Sequence, residues 1–177
     1  MKKTLSIIII FITFIFIYFL QSNFFSWFNI AGIKPNLFII LSLFIGIFIG
    51  KVYGGIIGIL MGLLLDFFIG KTLGINAISL GLAGLLGGLF TKNFSKDSRL
   101  TIMLMSCAAT FACELISYIF QIILFDLSIE FWQFIKIISI EILFNSMIII
   151  IIYPIIDKVG TLLERIFTQD KILTKYY

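Results

Sequence analysis

Residues 54–66 read GGIIGILMGLLLD, an apolar segment in which a glycine recurs every fourth residue until an aspartate ends the series. Gly54, Gly58, Gly62 and Asp66 lie on one face of an α-helix, because each four-residue step rotates only about 40° past a full turn. Small residues on one face let helices approach closely within a membrane. The next apolar segment repeats the pattern with Ala77, Gly81, Gly84 and Gly88. The pattern predicts tight packing within the chain, with a dimer face as the alternative.

The composition is that of a membrane protein. Of the 177 residues 61% are hydrophobic and 12% are charged, whereas soluble domains are about 45–50% apolar and about 25% charged. Roughly 108 apolar residues are enough for five or six spans of about 20 residues. The chain contains no histidine and only two cysteines, and it lacks a GxxxxGK[ST] phosphate loop. We therefore expect no catalytic residues, no metal site, no cofactor and no enzymatic activity.

The chain is predicted to be one polytopic all-α domain, residues 1–177, with six transmembrane helices. Residues 36–69 would form a helix of about 51 Å, which is too long for a hydrocarbon core of about 30 Å. This segment must therefore fold back near residues 50–55. The predicted spans are residues 4–20, 36–50, 52–69, 75–91, 100–125 and 134–156. An interfacial loop is predicted at residues 21–35, a turn at residues 70–74, and a cytoplasmic tail at residues 158–177.

The basic residues predict the orientation of these spans. An even number of spans places both termini on one side of the membrane. That side carries Lys2, Lys3, Lys51, Lys92, Lys96, Arg99, Lys158, Arg165, Lys171 and Lys175. The opposite side carries only Lys34 and Lys71. By the positive-inside rule both termini are cytoplasmic. The net charge of +4 thus marks topology rather than a nucleic-acid surface. The tail fits either an amphipathic helix on the membrane or a solvated segment.

Polar side chains inside the predicted spans are further candidate functional residues. They are Asp66, Glu114, Gln121, Glu141 and Asn145. An ionised carboxylate there costs at least a few kcal/mol, so we expect these groups to be protonated or hydrogen-bonded to another helix. Three interpretations stay open, namely a proton or ion relay, a substrate-binding cavity, and polar contacts between helices or with a partner. The last is favoured because Lys136 is the one basic residue within the spans. Asp66 is also near enough to the outer end to reach the interface.

Residues 33–88 resemble the rod shape-determining MreD family. The matching stretches are Lys34-Pro35-Asn36-Leu37, the glycine series ending at Asp66, and Gly70-Lys71-Thr72-Leu73-Gly74-Ile75-Asn76-Ala77. In that family a proline-opened span precedes a glycine-rich helix that ends in Leu-Leu-x-Asp, and a Leu-Gly turn leads into the next helix. The resemblance implies a helix-packing motif made of Pro35, Gly54, Gly58, Gly62, Asp66, Leu73 and Gly74. Asn36 stands where the family often has an acidic residue, and no motif after Arg99 supports Glu114 or Glu141.

The resemblance implies a non-enzymatic scaffold of the bacterial cell-wall elongation complex, or elongasome, in the cytoplasmic (inner) membrane. Such a protein would bind MreC and, through it, link MreB filaments to RodA and a penicillin-binding transpeptidase during peptidoglycan synthesis. The family is also similar to the substrate-binding subunits of energy-coupling-factor vitamin transporters, which makes a transporter subunit the alternative. Those subunits tend to carry an Ala-x-x-x-Ala pair in the first span. Residues 4–20 contain neither alanine nor glycine, which favours the scaffold.

Overall fold

A computed structural model describes residues 2–69, 73–93, 98–125 and 130–173. These ranges form helices α1 (Lys2–Phe19), α2 (Leu37–Ile49), α3 (Lys51–Ile69), α4 (Ile75–Asn93), α5 (Arg99–Phe125) and α6 (Phe131–Leu173). Within the same ranges no strand occurs apart from an isolated bridge between Ile30 and Ile33. The predicted all-α class is confirmed.

The lengths and composition of the helices identify a membrane protein. Four segments are long and apolar enough to cross a bilayer, namely Ser6–Trp27, Lys51–Ile69, Arg99–Leu124 and Phe131–Phe167. The remaining two apolar helices are shorter and cover Leu37–Ile49 and Ile75–Thr91. The chain is therefore a helical transmembrane protein. Along the sequence, each of the two shorter helices, α2 and α4, stands between two long helices.

Helix α2 occupies the centre of the bundle. All of its 13 residues except Leu41 are buried, and it contacts every other helix. At about 20 Å it is shorter than the hydrocarbon core of about 30 Å. Its apolar side chains are covered by protein on all sides, which explains why the segment is hydrophobic all round rather than amphipathic.

The first helix extends beyond its predicted end. The predicted loop begins at residue 21, but a π-helical turn (Leu20–Phe24) and a further helical turn (Phe25–Trp27) continue α1. The chain then turns through Ala31 and Gly32, which both have positive φ. Of the turn predicted at residues 70–74, only Leu73 and Gly74 belong to the described residues.

The last helix also departs from the prediction, because α6 continues through Pro154 as far as Leu173. Proline lacks the N–H that would bond to the carbonyl one turn earlier, and it normally ends or bends a helix. Here tertiary packing supports the helix beyond the proline. Gly160 lies against the ring of Phe48, and the rings of Tyr53 and Phe167 are 5.6 Å apart. The helix thus continues past residue 156, where the last span is predicted to end, into the region from residue 158 that is predicted as the tail.

Candidate functional site

Glycines from three consecutive helices meet at one point of the bundle. Gly46 of α2, Gly54 of α3 and Gly84 of α4 lie so close together that a Cβ atom on any of them would overlap the backbone of another. The Cβ position of Gly54, for example, would lie 2.7 Å from the carbonyl oxygen of Gly84. Only glycine permits this backbone contact, because any other side chain would force the helices apart.

The close backbone contact continues in both directions along these helices. We call the glycines that take part in it the glycine seam. Its members are Gly46, Gly54, Gly58, Gly62, Gly84, Gly87 and Gly88. Gly58 lies against the carbonyl of Leu80, and Gly62 against the backbone of Asn76 and Ala77. The Ser42 hydroxyl donates a 2.6 Å hydrogen bond to the Leu80 carbonyl across the seam. This face of α3 is therefore occupied within one chain and is not available as the dimer face that the sequence left open.

Not every small residue of these helices belongs to the seam. Gly55 and Gly81 face flexible side chains, those of Leu85 and Ile59, rather than backbone.

Pro35, at the entrance to α2, is fully buried. Leu73 is different, because its side chain is 79% exposed. Its predicted place in the packing motif is therefore wrong, and the turn contributes through Gly74 instead.

Asp66 ends the seam and caps the following helix. Its carboxylate accepts hydrogen bonds from the backbone N–H groups of Gly74 (2.8 Å), Asn76 (3.2 Å) and Ala77 (3.2 Å). The Asn76 side-chain amide donates a further bond of 2.8 Å. Asp66 is only 1% exposed, so its carboxylate is enclosed by the protein itself.

The capping arrangement explains how a carboxylate is tolerated at this buried position. The first N–H groups of an α-helix have no partner within the helix, and a side chain at the N-cap usually accepts from them. Gly74 precedes α4 and has no side chain, so Asp66 of the preceding helix supplies the acceptor oxygens. The positive end of the α4 dipole also stabilises a negative charge there. No basic side chain forms an ion pair with Asp66 among the described residues.

A set of polar side-chain pairs joins helices α5 and α6, and we call this set the polar ladder. It consists of the pairs Cys107–Ser146, Thr110–Asn145 and Glu114–Glu141. The Asn145 amide donates to the Thr110 hydroxyl at 3.0 Å, and the Cys107 sulfur and the Ser146 hydroxyl are 3.4 Å apart. Beyond the ladder, the rings of Tyr118 and Phe134 stack with centroids 4.1 Å apart.

The polar ladder also holds the start of α2. The backbone N–H of Asn36 donates to the side-chain oxygen of Asn145 at 2.9 Å, and that of Leu37 donates to the side-chain oxygen of Gln21 at 3.0 Å. Both acceptor groups come from other parts of the fold and add to the local N-cap Asn36, whose side-chain oxygen accepts from the Ile39 N–H at 3.4 Å. The role of Gln21 was not predicted, and its only sequence signal is a polar residue at the end of a long apolar run.

The two carboxyl groups of the ladder are buried together. The side chains of Glu114 and Glu141 interact, and that of Glu141 also interacts with Asn36. A hydrogen bond between two carboxyl groups requires a proton on one of them. Glu141 is 6% exposed, and its Oε1 has no hydrogen-bond partner in the described part of the chain. Gln121 lies outside the ladder on α5 and is half-buried.

Helix α5 is also tied to α4. The Cys113 thiol donates to the Ser79 carbonyl at 3.0 Å, and the hydroxyls of Ser79 and Ser117 are 3.3 Å apart. In the ranges that the structure describes, no group of three or more His, Cys, Asp or Glu side chains is arranged to hold a metal ion. The intramembrane polar groups thus form contacts between α2, α4, α5 and α6.

A comparison with protein families gives a match over most of the chain. A family model described as rod shape-determining protein MreD matches residues 1–162. The matched region includes the glycine seam, the Asp66 cap and the polar ladder. The chain matches no curated protein and no solved structure.

Proposed function

The chain belongs to the MreD family of rod shape-determining proteins, and from that premise we propose that it is a non-enzymatic membrane scaffold of the bacterial cell-wall elongation complex. In this role it binds the bitopic protein MreC directly. Through MreC it links MreB filaments on the cytoplasmic side to RodA and its penicillin-binding transpeptidase. The family match over residues 1–162 is the observation that carries the proposal.

The use of the buried polar groups supports a scaffold. Asp66 caps α4, Asn145 holds the start of α2, and Ser79 contacts α5. Each of these groups bonds to another helix, so together they fix the helices relative to one another. A protein that must present the same apolar surface to partner helices benefits from such a frame, because binding then costs little conformational entropy.

The alternative, a vitamin-binding transporter subunit, would require a cavity with a polar lining. A polar small molecule needs convergent hydrogen-bonding groups around a cavity. The described cavity of about 410 Å³ between α1, α2 and α6 is lined by apolar side chains and by Thr13. This lining favours the scaffold.

The proposal includes six spans with both termini on the cytoplasmic side of the inner membrane. The positions of the basic residues support it. Lys51 and Arg99 begin α3 and α5, and Lys158 follows the long apolar stretch of α6, all at predicted cytoplasmic ends, whereas Lys34 precedes α2 at its predicted outer end. A chain with Cys107→Ser and Cys113→Ser provides a background for single-cysteine labelling. A membrane-impermeant maleimide should label Lys34→Cys in intact cells and Lys158→Cys only after permeabilisation. The reverse pattern would disprove the orientation.

Co-purification with MreC tests the scaffold itself. The tagged full chain should retain MreC in mild detergent, and its depletion from a rod-shaped host should produce round cells. Gly58→Leu should reduce the complex, because the larger side chain would meet the carbonyl of Leu80 and the hydroxyl of Ser42. Wild-type amounts of complex at equal expression of this variant would contradict the proposed role of the seam. Absence of MreC together with thermal stabilisation by a vitamin would favour the transporter instead.

A further inference from the structure

The second part of α6 follows one end of the helix bundle. As a straight helix, residues 131–173 would be about 64 Å long, which is about twice a hydrocarbon core of about 30 Å. Three contacts, each two turns after the last, hold this part, namely Tyr153 with Arg99, Gly160 with Phe48, and Phe167 with Tyr53. Arg99, Phe48 and Tyr53 each belong to the first or last turn of their own helix. Residues 153–167 therefore stay at the end of the bundle over a length of about 21 Å.

An apolar strip runs along the exposed side of this segment. Its members are Ile155, Val159 and Leu162, which are 65%, 44% and 54% exposed. At about 100° per residue, the three lie within about 60° of one another around the helix axis. Gly160 and Leu163 lie on a different side, about 70–130° from the centre of the strip, and both are buried. The strip is therefore a second apolar face, distinct from the face that packs against the bundle.

The charged side chains of the segment are distributed unevenly around this strip. Lys158 and Arg165 are exposed, and helical geometry places them about 70° and about 90° from the centre of the strip. Asp157 and Glu164 lie about 170° from that centre, on the opposite side of the helix. Both cations therefore border the apolar strip, and both carboxylates lie away from it.

This composition fits the interface of a bilayer better than the environments on either side of it. Four charged residues within positions 157–165 disfavour the hydrocarbon core, where each ionised group is costly. Water is disfavoured as well, because three large apolar side chains would stay exposed to it. A helix with an apolar face bordered by cations lies in the plane of the interface, and its binding strengthens with the attraction to anionic lipids.

We propose that the strip of Ile155, Val159 and Leu162, together with Lys158 and Arg165, docks on the surface of an anionic phospholipid membrane. The apolar side chains enter the outer part of the acyl region, and the two cations lie at the level of the lipid phosphates. Of the two interpretations that the sequence leaves open for this part of the chain, the arrangement favours the helix on the membrane. This inference goes beyond the proposed scaffold role and does not depend on it.

Fluorescence quenching by brominated lipids tests the docking. In the background of Cys107→Ser and Cys113→Ser, a bimane label is attached to Val159→Cys. The control carries the label on Thr161→Cys, about 130° from the centre of the strip. The full chain is reconstituted in nanodiscs that contain phosphatidylglycerol brominated in its acyl chains. Quenching at Val159 should be at least about twofold stronger than at Thr161, because the apolar face of an interfacial helix enters the boundary between headgroups and acyl chains by about 5–10 Å.

Two double variants test the choice of headgroup. Lys158→Gln with Arg165→Gln removes both cations beside the strip. Lys34→Gln with Lys136→Gln removes the same charge elsewhere in the chain and is the control. In the wild type and the control, brominated phosphatidylglycerol should quench the Val159 label more strongly than brominated phosphatidylcholine. The relative affinity for phosphatidylglycerol should fall about five- to thirtyfold when the two cations beside the strip are removed.

Size-exclusion chromatography and circular dichroism check the folding of each variant, and Leu162→Cys replaces Val159→Cys if the label there disturbs the protein. Equal quenching at Val159 and Thr161 would overturn the proposal, because the strip would then face water or another protein. Equal affinity for the two lipids in the wild type would overturn it too, and so would an unchanged preference after removal of Lys158 and Arg165. Protection of the Val159 label from brominated lipid by co-purified MreC would assign the strip to that partner and would likewise overturn it.

Discussion

The carboxylate of Asp66 accepts a 2.8 Å hydrogen bond from the backbone N–H of Gly74, eight residues further along the chain. This contact gives a physical reason for the Leu-Leu-x-Asp and Leu-Gly elements of the family pattern. The aspartate lies in the last turn of α3 and caps α4, and Gly74 adopts a φ of +106°, which residues with a side chain rarely adopt. The two positions therefore form one contact that joins the end of α3 to the start of α4.

Replacing Asp66 with asparagine should destabilise the protein by about 2 kcal/mol. The amide keeps one acceptor oxygen, but its NH2 group would face backbone N–H groups, and the charge near the start of α4 is lost. The free energy of unfolding in an SDS titration measures the effect. Glu130→Gln is the matched control, because Glu130 precedes α6 and is exposed. Equal stability of the two variants would show that the Asp66 cap contributes nothing.

Alanine substitutions on α4 should separate backbone contacts from side-chain contacts. Gly84→Ala places a methyl group against the backbone of Gly54 and should cost about 1–3 kcal/mol. Gly81→Ala meets the Ile59 side chain at close range and backbone only at ordinary contact distance. A side chain can shift more readily than backbone, and the better helix propensity of alanine offsets part of the cost, up to about 1 kcal/mol. Unfolding in SDS measures both variants. If Gly81→Ala were the more damaging change, the seam would not be the main contact between these helices.

The glycine face of α3 could be predicted because its spacing is local and follows the helical repeat. The surface that packs against this face could not be predicted. The glycine spacing before Asp66 is the same whether a second helix of the chain or a second copy of the protein lies against it. The structure answers this by placing Gly84 against Gly54. The all-α class and the membrane setting could be predicted from composition, because both depend on the whole chain rather than on particular contacts.

The caps and the last helix depended on tertiary contacts that the sequence does not reveal. Rules for helix starts look for a side chain at the N-cap. Asn36 follows this rule at the start of α2, but Gly74 has no side chain, and the cap of α4 comes from Asp66 of the preceding helix. The rule that proline ends a helix is likewise local. Contacts of Gly160 with Phe48 support α6 beyond Pro154, and sequence reasoning about Pro154 alone missed them.

Asn145 should contribute more to stability than its partner Thr110. Asn145→Leu removes the acceptor for the backbone N–H of Asn36 and leaves that partly buried donor unpaired, at a cost of about 1–3 kcal/mol. Thr110→Val removes only the hydroxyl that accepts from Asn145, and interhelical bonds of this kind average about 0.6 kcal/mol. A double-mutant cycle in SDS unfolding measures the coupling. Equal losses for the single variants would contradict the role of Asn145 as a cap of α2.

The paired carboxyls of the polar ladder should tolerate an amide at one position. A hydrogen bond between Glu114 and Glu141 already needs a proton on one of them. The glutamine of Glu141→Gln can donate in its place, so we expect a change below about 0.6 kcal/mol. Glu141→Leu should cost about 1–3 kcal/mol, because Glu114 then lacks its buried partner. The comparison uses SDS unfolding together with rod-shape complementation. A Glu141→Gln protein that folds normally and binds MreC, yet fails to maintain rod shape, would contradict a purely structural role and would favour a proton or ion relay.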